Sequence, residues 1–343
     1  MIRERLFENL KKARYIGSFR RETLVHVNLQ ILYQCNFRCR ICDFWQPPFP
    51  SMPKMSAAQV GLISEKLADI GPQIVSIGGG EPLMHKQLLP IIRALSRHHF
   101  PVMICNGWFV TPEKARAMWE AGMYEISISV DYHDAAQHDA QRGIDGAYDR
   151  AIEALEILHR TRTRPWQRVH MISVVMDDNL DHIEPLIQLS ERLGITYVIT
   201  LYSDKRGALR ARASNVDIAD RLLELKRRYK GFVQLHGYLA GFPTALSRGG
   251  VPECHAGKNL CNVDCQGDVS LCIDRVDEPV ANIFEQDMES VYQALLRRYQ
   301  ENTCADCWTS CRGTVETLMY RSKPRDYLDY FQLTRSVPLE ASA

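Results

Sequence analysis

The sequence predicts an α/β protein, an open (β/α)6 barrel followed by a small cysteine-rich subdomain. Between about residues 24 and 230, short β-type runs alternate with segments of helical period. This alternation predicts a parallel sheet with right-handed crossovers. The predicted strands also have one polar and one apolar face. The six β-type runs cover residues 25–33, 73–78, 101–105, 124–130, 169–176 and 195–202.

The faces of these strands favour a barrel over a doubly wound sheet, which the same alternation also allows. In the first strand, Val25, Val27, Leu29 and Ile31 share one face, and His26, Asn28 and Gln30 share the other. In the fourth, Ile126, Ile128 and Val130 alternate with Ser127, Ser129 and Asp131. Strands between two helix layers are apolar on both faces, whereas barrel strands can face a polar lumen. A solvated edge strand is the alternative for any single strand.

The chain divides into five predicted segments. They are an N-terminal helix or extension (1–23), the barrel (24–230), a linker or lid (231–253), the cysteine-rich subdomain (254–320) and a C-terminal tail (321–343). Within the barrel segment, residues 203–215 are predicted to form a basic loop and residues 216–230 a helix. Helical period is clear where Tyr148, Ala151, Ile152, Leu155 and Leu158 share one face.

Composition and charge exclude several classes of function. The 42 Lys and Arg residues nearly balance the 41 Asp and Glu residues, so no overall field attracts nucleic acid or an anionic membrane. No apolar run approaches the roughly 18 residues of a membrane span, and the N-terminus lacks the apolar core of a signal peptide. We therefore expect a cytoplasmic protein. In that reducing compartment, eleven cysteines indicate metal or cluster ligation rather than disulfides.

The strongest motif is Cys35-x3-Cys39-x2-Cys42, directly after the first predicted strand. Three thiolates at this spacing can hold one corner of an iron–sulfur cubane and leave its fourth iron without a protein ligand. A zinc site normally has four ligands, and no fourth Cys or His lies nearby in sequence. The closest is His26, on the strand. The motif therefore favours a cluster.

A glycine-rich turn, Gly78-Gly79-Gly80-Glu81-Pro82, follows the second predicted strand. Glycines let the backbone approach a ligand closely, and a carboxylate can accept hydrogen bonds from an ammonium group. Together with the cysteine motif, with Asn106-Gly107 after the third strand, and with the stretches SISVD (127–131) and HDAQRG (138–143), this turn resembles the radical S-adenosylmethionine (radical SAM) superfamily. The resemblance spans roughly residues 24–202 and implies a partial, TIM-like barrel.

The resemblance implies the following roles at the cofactor. Cys35, Cys39 and Cys42 would hold a [4Fe–4S] cluster whose open iron binds the amine and carboxylate of S-adenosylmethionine. Residues Gly79, Gly80 and Glu81 would contact the amine, Ser129 and Asp131 the ribose, and Asn106 belongs to the same cofactor-binding set. The sequence departs from the family at Ile41, where an aromatic residue near the adenine is usual.

A second cysteine group has the pattern Cys254-x12-Gly267-x4-Cys272 and Cys304-x2-Cys307-x3-Cys311. It resembles the SPASM/twitch extension of radical SAM enzymes, which houses auxiliary [4Fe–4S] clusters. We expect the one-cluster form, with Cys254, Cys272, Cys304 and Cys307 as ligands. Replacement of one of them by Cys261 or Cys311, a second incompletely ligated cluster, and a structural zinc ribbon are the alternatives. The role of Cys265 stays open.

The resemblance implies that reductive cleavage of S-adenosylmethionine gives a 5′-deoxyadenosyl radical, which abstracts hydrogen from a substrate. A flavodoxin- or ferredoxin-type protein would donate the electron. Because about 24 residues precede the barrel, too few for a peptide-docking domain, we expect a small-molecule substrate that is oxidised with help from the auxiliary cluster. The alternatives are a maturase of ribosomal peptides and a non-enzymatic iron–sulfur or zinc redox protein. The catalytic acid or base is not assigned.

Overall fold

A computed structural model describes residues 2–203 and 218–334, with side chains described from Glu8 onward. Nearly all of the predicted basic loop at 203–215 therefore lies outside the described residues. No helix in these two ranges is both long and apolar enough to cross a bilayer.

Nine strands of the described chain form one sheet, in the order β6-β5-β4-β3-β2-β1-β7-β8-β9. The first six strands are neighbours in sequence order and all pair in parallel, as the staves of a barrel do. This confirms the predicted α/β fold with a parallel sheet. The strands are β1 (His26–Leu32), β2 (Ile74–Gly79), β3 (Phe100–Cys105), β4 (Glu125–Ser129), β5 (Arg168–Val175), β6 (Thr196–Leu201), β7 (Leu260–Val263), β8 (Asp268–Ser270) and β9 (Ala281–Asn282).

Helices follow the barrel strands and cover their outer side. The helices are α1 (Ile2–Arg20), α2 (Ala57–Ile70), α3 (Leu88–Ser96), α4 (Pro112–Glu120), α5 (Ala135–Arg142), α6 (Ala147–Arg160), α7 (Ile183–Arg192), α8 (Ile218–Arg228), α9 (His236–Ala240), α10 (Phe242–Arg248), α11 (Met288–Gln300), α12 (Ser310–Tyr320) and α13 (Pro324–Thr334). Several begin at a side-chain cap, such as Ser56 before α2 and Thr111 before α4. Each such cap stabilises its helix by about 1 kcal/mol.

The two faces of β1 have different surroundings. Val27, Leu29 and Ile31 belong to the main apolar core beneath the outer helices. His26, Asn28 and Gln30 face the inner side of the sheet and are also buried. Because β1 lies between β2 and β7, its polar face lines the inside of the molecule and is not a solvated edge. On the same inner side, Ile104 of β3 is 45% exposed.

The cysteine-rich part of the chain continues the barrel sheet. Strand β7 pairs in parallel with β1, from His26 opposite Leu260 to Leu29 opposite Val263. Strands β7 and β8 form an antiparallel hairpin at Gly267, which has a positive φ of 87° that suits glycine. The region 231–253 contains two short helices, α9 and α10, where the sequence predicted a linker or lid.

Helices α1 and α13 lie where the barrel strands begin. Tyr15 of α1 packs edge-on against Phe100, the first residue of β3, with ring centroids 5.5 Å apart. The carbonyl of Thr334 at the end of α13 accepts a hydrogen bond from Arg168, the first residue of β5. These contacts leave the opposite end, where the strands stop, for the functional loops.

Candidate functional site

The loop that carries Cys35, Cys39 and Cys42 follows β1 directly, at the carboxyl end of the barrel. The glycine turn after β2 packs against the start of this loop. A β-carbon on Gly79 would lie 1.8 Å from the carbonyl oxygen of Leu32, and one on Gly80 would lie 2.2 Å from that of Gln34. Both positions therefore require glycine. Backbone bonds of 2.9 Å, from Gly80 N to Leu32 O and from Glu81 N to Gln34 O, hold the turn there.

The three thiols of this loop share an apolar environment. Cys39 is buried with Phe37 and Ala147, and Cys35 and Cys42 pack against the same cluster. Burial raises the pKa of the Cys35 and Cys42 thiols to about 12. Metal coordination offsets such a cost, because a bound metal deprotonates the thiol. A soft, sulfur-preferring group fits this donor set.

Glu81 is buried where the carboxyl ends of β2 and β3 lie side by side. Its Oε1 accepts a 2.9 Å hydrogen bond from the backbone N–H of Leu83, and its Oε2 accepts a 2.8 Å bond from that of Asn106. Burial raises its pKa to about 7. Each oxygen keeps a further lone pair that can accept a hydrogen bond from an ammonium group. Contact between Glu81 and the amine of S-adenosylmethionine therefore stays a prediction. The structure adds a second role, fixing the ends of two strands.

Asn106 connects the end of β3 to the cysteine loop. Its Nδ2 donates to Asn36 Oδ1 at 2.9 Å, and its Oδ1 accepts from the backbone N–H of Trp108 at 3.0 Å. Asn36 lies between Cys35 and Phe37. Asn106 therefore positions the loop, whether or not it also touches the cofactor.

Arg142, a residue that sequence reasoning did not single out, is buried beside the cysteine loop. Its Nη2 lies 2.6 Å from Asp131 Oδ2, and its Nη1 lies 3.9 Å from Cys39 Sγ. Asp131 is fully buried and also accepts a 2.8 Å bond from Val174 N. The signal for Arg142 was present, because it is the arginine of the HDAQRG stretch. Ser129, at the end of β4, is half-buried on the same face as Ser127.

Ile41 packs against an apolar cluster formed after the ends of β4, β5 and β6. The buried members of this cluster are Tyr132, Met176 and Tyr202. The Tyr132 hydroxyl donates a 2.8 Å hydrogen bond to Asp178, which holds the ring in place. Aromatic surface is thus supplied beside Ile41 by other elements.

The second cysteine group lines a cavity of about 260 Å³. The cysteines that line it are Cys254, Cys272, Cys304, Cys307 and Cys311. The thiols of Cys254 and Cys304 share a hydrogen bond, and both also interact electrostatically with other cysteines of the cavity. Arg312 donates a 2.7 Å bond to the carbonyl of Cys307 and forms a buried ion pair with Glu316. In the described chain, no three His, Cys, Asp or Glu side chains converge as a single metal ion requires.

The remaining cysteines lie outside this cavity. Cys105 and Cys261 are buried in the main apolar core. Cys265, in the β7–β8 turn, packs with Tyr33 and Phe44 in a cluster that also includes Cys42. Of the two replacement ligands considered from sequence, only Cys311 lies at the cavity.

Comparison with known proteins identifies the family of the domain that contains the first site. Residues 29–190, which include the cysteine loop, the glycine turn and Arg142, match the model of the radical SAM superfamily. The chain contains a radical SAM domain. Enzymes of this superfamily use a [4Fe–4S] cluster and S-adenosylmethionine, and the cysteine loop and glycine turn of this radical SAM domain fit them.

Two individual relatives match different lengths of the chain. The chain is 27% identical over 309 residues to mycofactocin maturase MftC of Mycolicibacterium smegmatis, covering 83% of this chain and 76% of that protein. It is 29% identical over 168 residues to the AdoMet-dependent heme synthase of Nitratidesulfovibrio vulgaris. That second match covers 48% of this chain and 44% of the heme synthase, so less than half of the relative is spanned.

Solved structures share the fold. SuiB of Streptococcus suis, bound to precursor peptide SuiA, superposes with a TM-score of 0.64 at 16% identity, over 83% of this chain and 70% of SuiB. Native anSMEcpe with bound AdoMet superposes with a TM-score of 0.63 at 14% identity, over 90% of this chain and 96% of that one. Both likenesses extend past the radical SAM domain into the cysteine-rich region.

Proposed function

We propose that this radical SAM enzyme cleaves S-adenosylmethionine reductively at a cluster held by Cys35, Cys39 and Cys42, and modifies a peptide. A flavodoxin- or ferredoxin-type protein supplies the electron. When bound, the cluster and cofactor provide a carbon radical that abstracts hydrogen. The observation that carries this proposal is the match to mycofactocin maturase MftC over 83% of the chain.

The chain's own residues prepare the site for this chemistry. The absence of side chains at Gly79 and Gly80 lets the backbone of the glycine turn pack directly on the cysteine loop. Arg142 places a positive charge and N–H donors beside Cys39, which favours a thiolate over a thiol. Apolar residues around the loop, among them Phe37 and Trp108, exclude water from the reacting region.

A peptide substrate replaces the small metabolite expected from the sequence. The relative aligned over the greatest length here is named a maturase, and SuiB was solved with its precursor peptide. A solved structure of anSMEcpe likewise contains the Cp18Cys peptide. The small-metabolite expectation depended on the short segment before β1, but a peptide-docking element can also be a separate chain.

An auxiliary [4Fe–4S] cluster at the second cysteine group completes the proposal. Cys254, Cys272, Cys304 and Cys307 interact with one another across the cavity, and Cys311 adjoins Cys307. The cysteines line a cavity of about 260 Å³ instead of converging on one point, which favours a cluster over a single zinc ion. The proposed ligands are Cys254, Cys272, Cys304 and Cys307.

The cluster assignment is tested by iron content. Anaerobically reconstituted protein should bind roughly eight irons per chain, as two cubanes. Changing Cys35, Cys39 and Cys42 together to Ala should remove about half of the iron and abolish 5′-deoxyadenosine formation. The matched control is Cys105→Ala, which removes a buried thiol near Glu81 that lies in neither group. Cofactor cleavage that survives the triple change would refute the assignment.

The substrate class is tested with peptides encoded beside the gene. Incubation with enzyme, S-adenosylmethionine and a reductant should change the mass of such a peptide and release one 5′-deoxyadenosine per modification. The triple cysteine variant is the negative control. Turnover of a small metabolite, with no neighbouring peptide changed, would restore the first expectation.

A further inference from the structure

A line of buried side chains connects the inner face of the barrel to the cysteine-lined cavity. Gln30 on β1 donates from Nε2 to Asn262 Oδ1 on β7 at 3.0 Å. Asn262 donates from Nδ2 to Ser270 Oγ on β8 at 3.4 Å, and Ser270 donates to the carbonyl of Cys272 at 3.2 Å. The three side chains are at most 1% exposed. The first two bonds join β1 to β7 and β7 to β8, and the third joins the end of β8 to the backbone two residues further on.

The burial of these polar groups makes their arrangement specific. A buried donor or acceptor that loses its partner destabilises the fold, so alternative positions of the hairpin are disfavoured. Strand β7 has four residues, too few to define its register by apolar pairing alone. Asn262 lies opposite Asn28 in the register and reaches diagonally to Gln30. This contact specifies the register of β7, and so the position of the hairpin, against β1.

The far end of the line is a residue of the cavity. Cys272 follows Ser270 by two residues in extended backbone, and its side chain lines the cavity. The near end, Gln30, lies beside Gly78 of the glycine turn. A β-carbon on Gly78 would lie 3.2 Å from Gln30 Oε1. The line therefore extends from the turn at the radical SAM site to a predicted auxiliary ligand.

We propose that Asn262 is a positioning residue that fixes Cys272, and with it the auxiliary cluster, relative to the barrel. This inference rests on the proposed cluster at Cys254, Cys272, Cys304 and Cys307. Groups that hydrogen-bond behind metal ligands orient those ligands, and their loss typically lowers metal affinity or activity 10- to 100-fold. Asn262 acts in this way through Ser270 and the Cys272 backbone.

The same hairpin offers a matched control. Asn282 on β9 donates to Asp268 Oδ1 at 2.9 Å and to Gln266 O at 3.2 Å. Both partners belong to the hairpin itself, and Asn282 is half-buried. Its amide supports the hairpin without contacting the barrel or Cys272.

The test uses the full chain with Cys35, Cys39 and Cys42 changed to Ala, so that only the auxiliary site holds iron. In this parent, Asn262→Leu should speed iron loss to a chelator about 10- to 100-fold and change the electron paramagnetic resonance spectrum of the reduced cluster. Ser270→Ala should act in the same direction. The double variant Gln30→Leu/Asn262→Leu should lose iron at about the same rate as Asn262→Leu alone, since both substitutions break the same Gln30–Asn262 hydrogen bond. Asn282→Leu should leave the iron-loss rate and the spectrum as in the parent.

The outcomes separate the two proposals. An iron-loaded parent whose rate and spectrum do not change with Asn262→Leu would overturn the positioning role alone. If Asn262→Leu does not fold, Ser270→Ala decides in the same way, since it removes a single hydroxyl. A parent that binds no iron would overturn the auxiliary cluster itself, and the positioning role with it.

Discussion

At the scale of single residues, the radical SAM site combines side chains of two kinds. Those that the sequence motifs identify, such as Cys39 and Glu81, lie in the loops that follow β1 and β2. Arg142 reaches the site from α5, about a hundred residues further along the chain. Periodicity cannot place such a residue, because its position depends on how α5 packs above the cysteine loop. The motif resemblance contained Arg142 but gave it no role.

Arg142 is expected to stabilise Asp131 and to raise the reduction potential of the adjacent cluster. Arg142→Leu leaves Asp131 buried without its cation, which should lower the free energy of unfolding by about 3–5 kcal/mol. It also removes a positive charge and N–H donors near Cys39 (3.9 Å), so the cluster should become harder to reduce. Thermal unfolding and a potentiometric titration of the reconstituted protein measure the two effects.

Arg150→Leu is the matched control, since Arg150 on α6 bonds to the carbonyl of Trp108 but touches no cysteine. It should leave the cluster potential unchanged. An Arg142→Leu enzyme with a wild-type potential would show that the guanidinium serves Asp131 alone.

At the scale of elements, the strands were predictable and their neighbours were not. The six barrel strands follow from alternating faces and β-type runs, and each lies within a residue or two of its predicted range. Strand β7 was expected in a separate subdomain, yet it pairs with β1. Sequence patterns show that a strand exists but not which edge it joins, because pairing partners are set by packing far along the chain. The buried polar face of β1 therefore has a partner, Asn262, that no motif indicated.

His99 joins three elements and gives the fold a dependence on pH. It is fully buried just before β3, where its Nε2 lies 2.8 Å from the Ser64 carbonyl on α2. Its Nδ1 accepts a 3.3 Å bond from the N–H of Gln73, just before β2. These partners require the neutral ring, and burial lowers the pKa of His99 to about 4.

Because the unfolded pKa is about 6.5, the unfolded chain binds a proton that the folded chain does not between pH 6.5 and 4. The stability due to neutral His99 is thus complete above pH 6.5 and is lost as pH falls towards 4. His99→Gln keeps an acceptor and a donor without titrating there. The wild type should lose about 3 kcal/mol relative to this variant over that range. Denaturant unfolding at a series of pH values measures the difference, and parallel curves would contradict the prediction.

At the scale of the whole molecule, features encoded by residues close together in the sequence were predictable. Features that depend on residues far apart in the sequence were not. The barrel, its cluster loop and the cysteine cavity were predictable, because each is encoded by local period or close spacing. The proposed substrate class was not. It depended on the length of chain before β1, a feature without a fixed physical link to peptide binding. The shared core of the barrel and the cysteine-rich region was also missed, since core membership requires knowing which strands pair.

This shared core predicts that the barrel does not fold without the cysteine-rich region. Residues Leu260, Val263, Val269, Leu271, Ile283, Val291 and Leu295 belong to the same buried cluster as Leu29 and Ile31. Burying each such side chain contributes about 1.5–3 kcal/mol, so the set contributes about 10–20 kcal/mol, which is as large as or larger than a typical net stability of about 5–15 kcal/mol. Removal of β7 would also expose the edge of β1 and leave Gln30 without its partner.

A chain ending at Glu253 should therefore be insoluble or lack a cooperative thermal transition. The control is a chain ending at Thr334, which keeps every described helix and strand and should unfold cooperatively like the full protein. Circular dichroism and amide hydrogen exchange compare the two. Protection of β1–β6 amides in the Glu253 chain equal to that in the Thr334 chain would show that the barrel is an independent unit, with the hairpin merely docked on its edge.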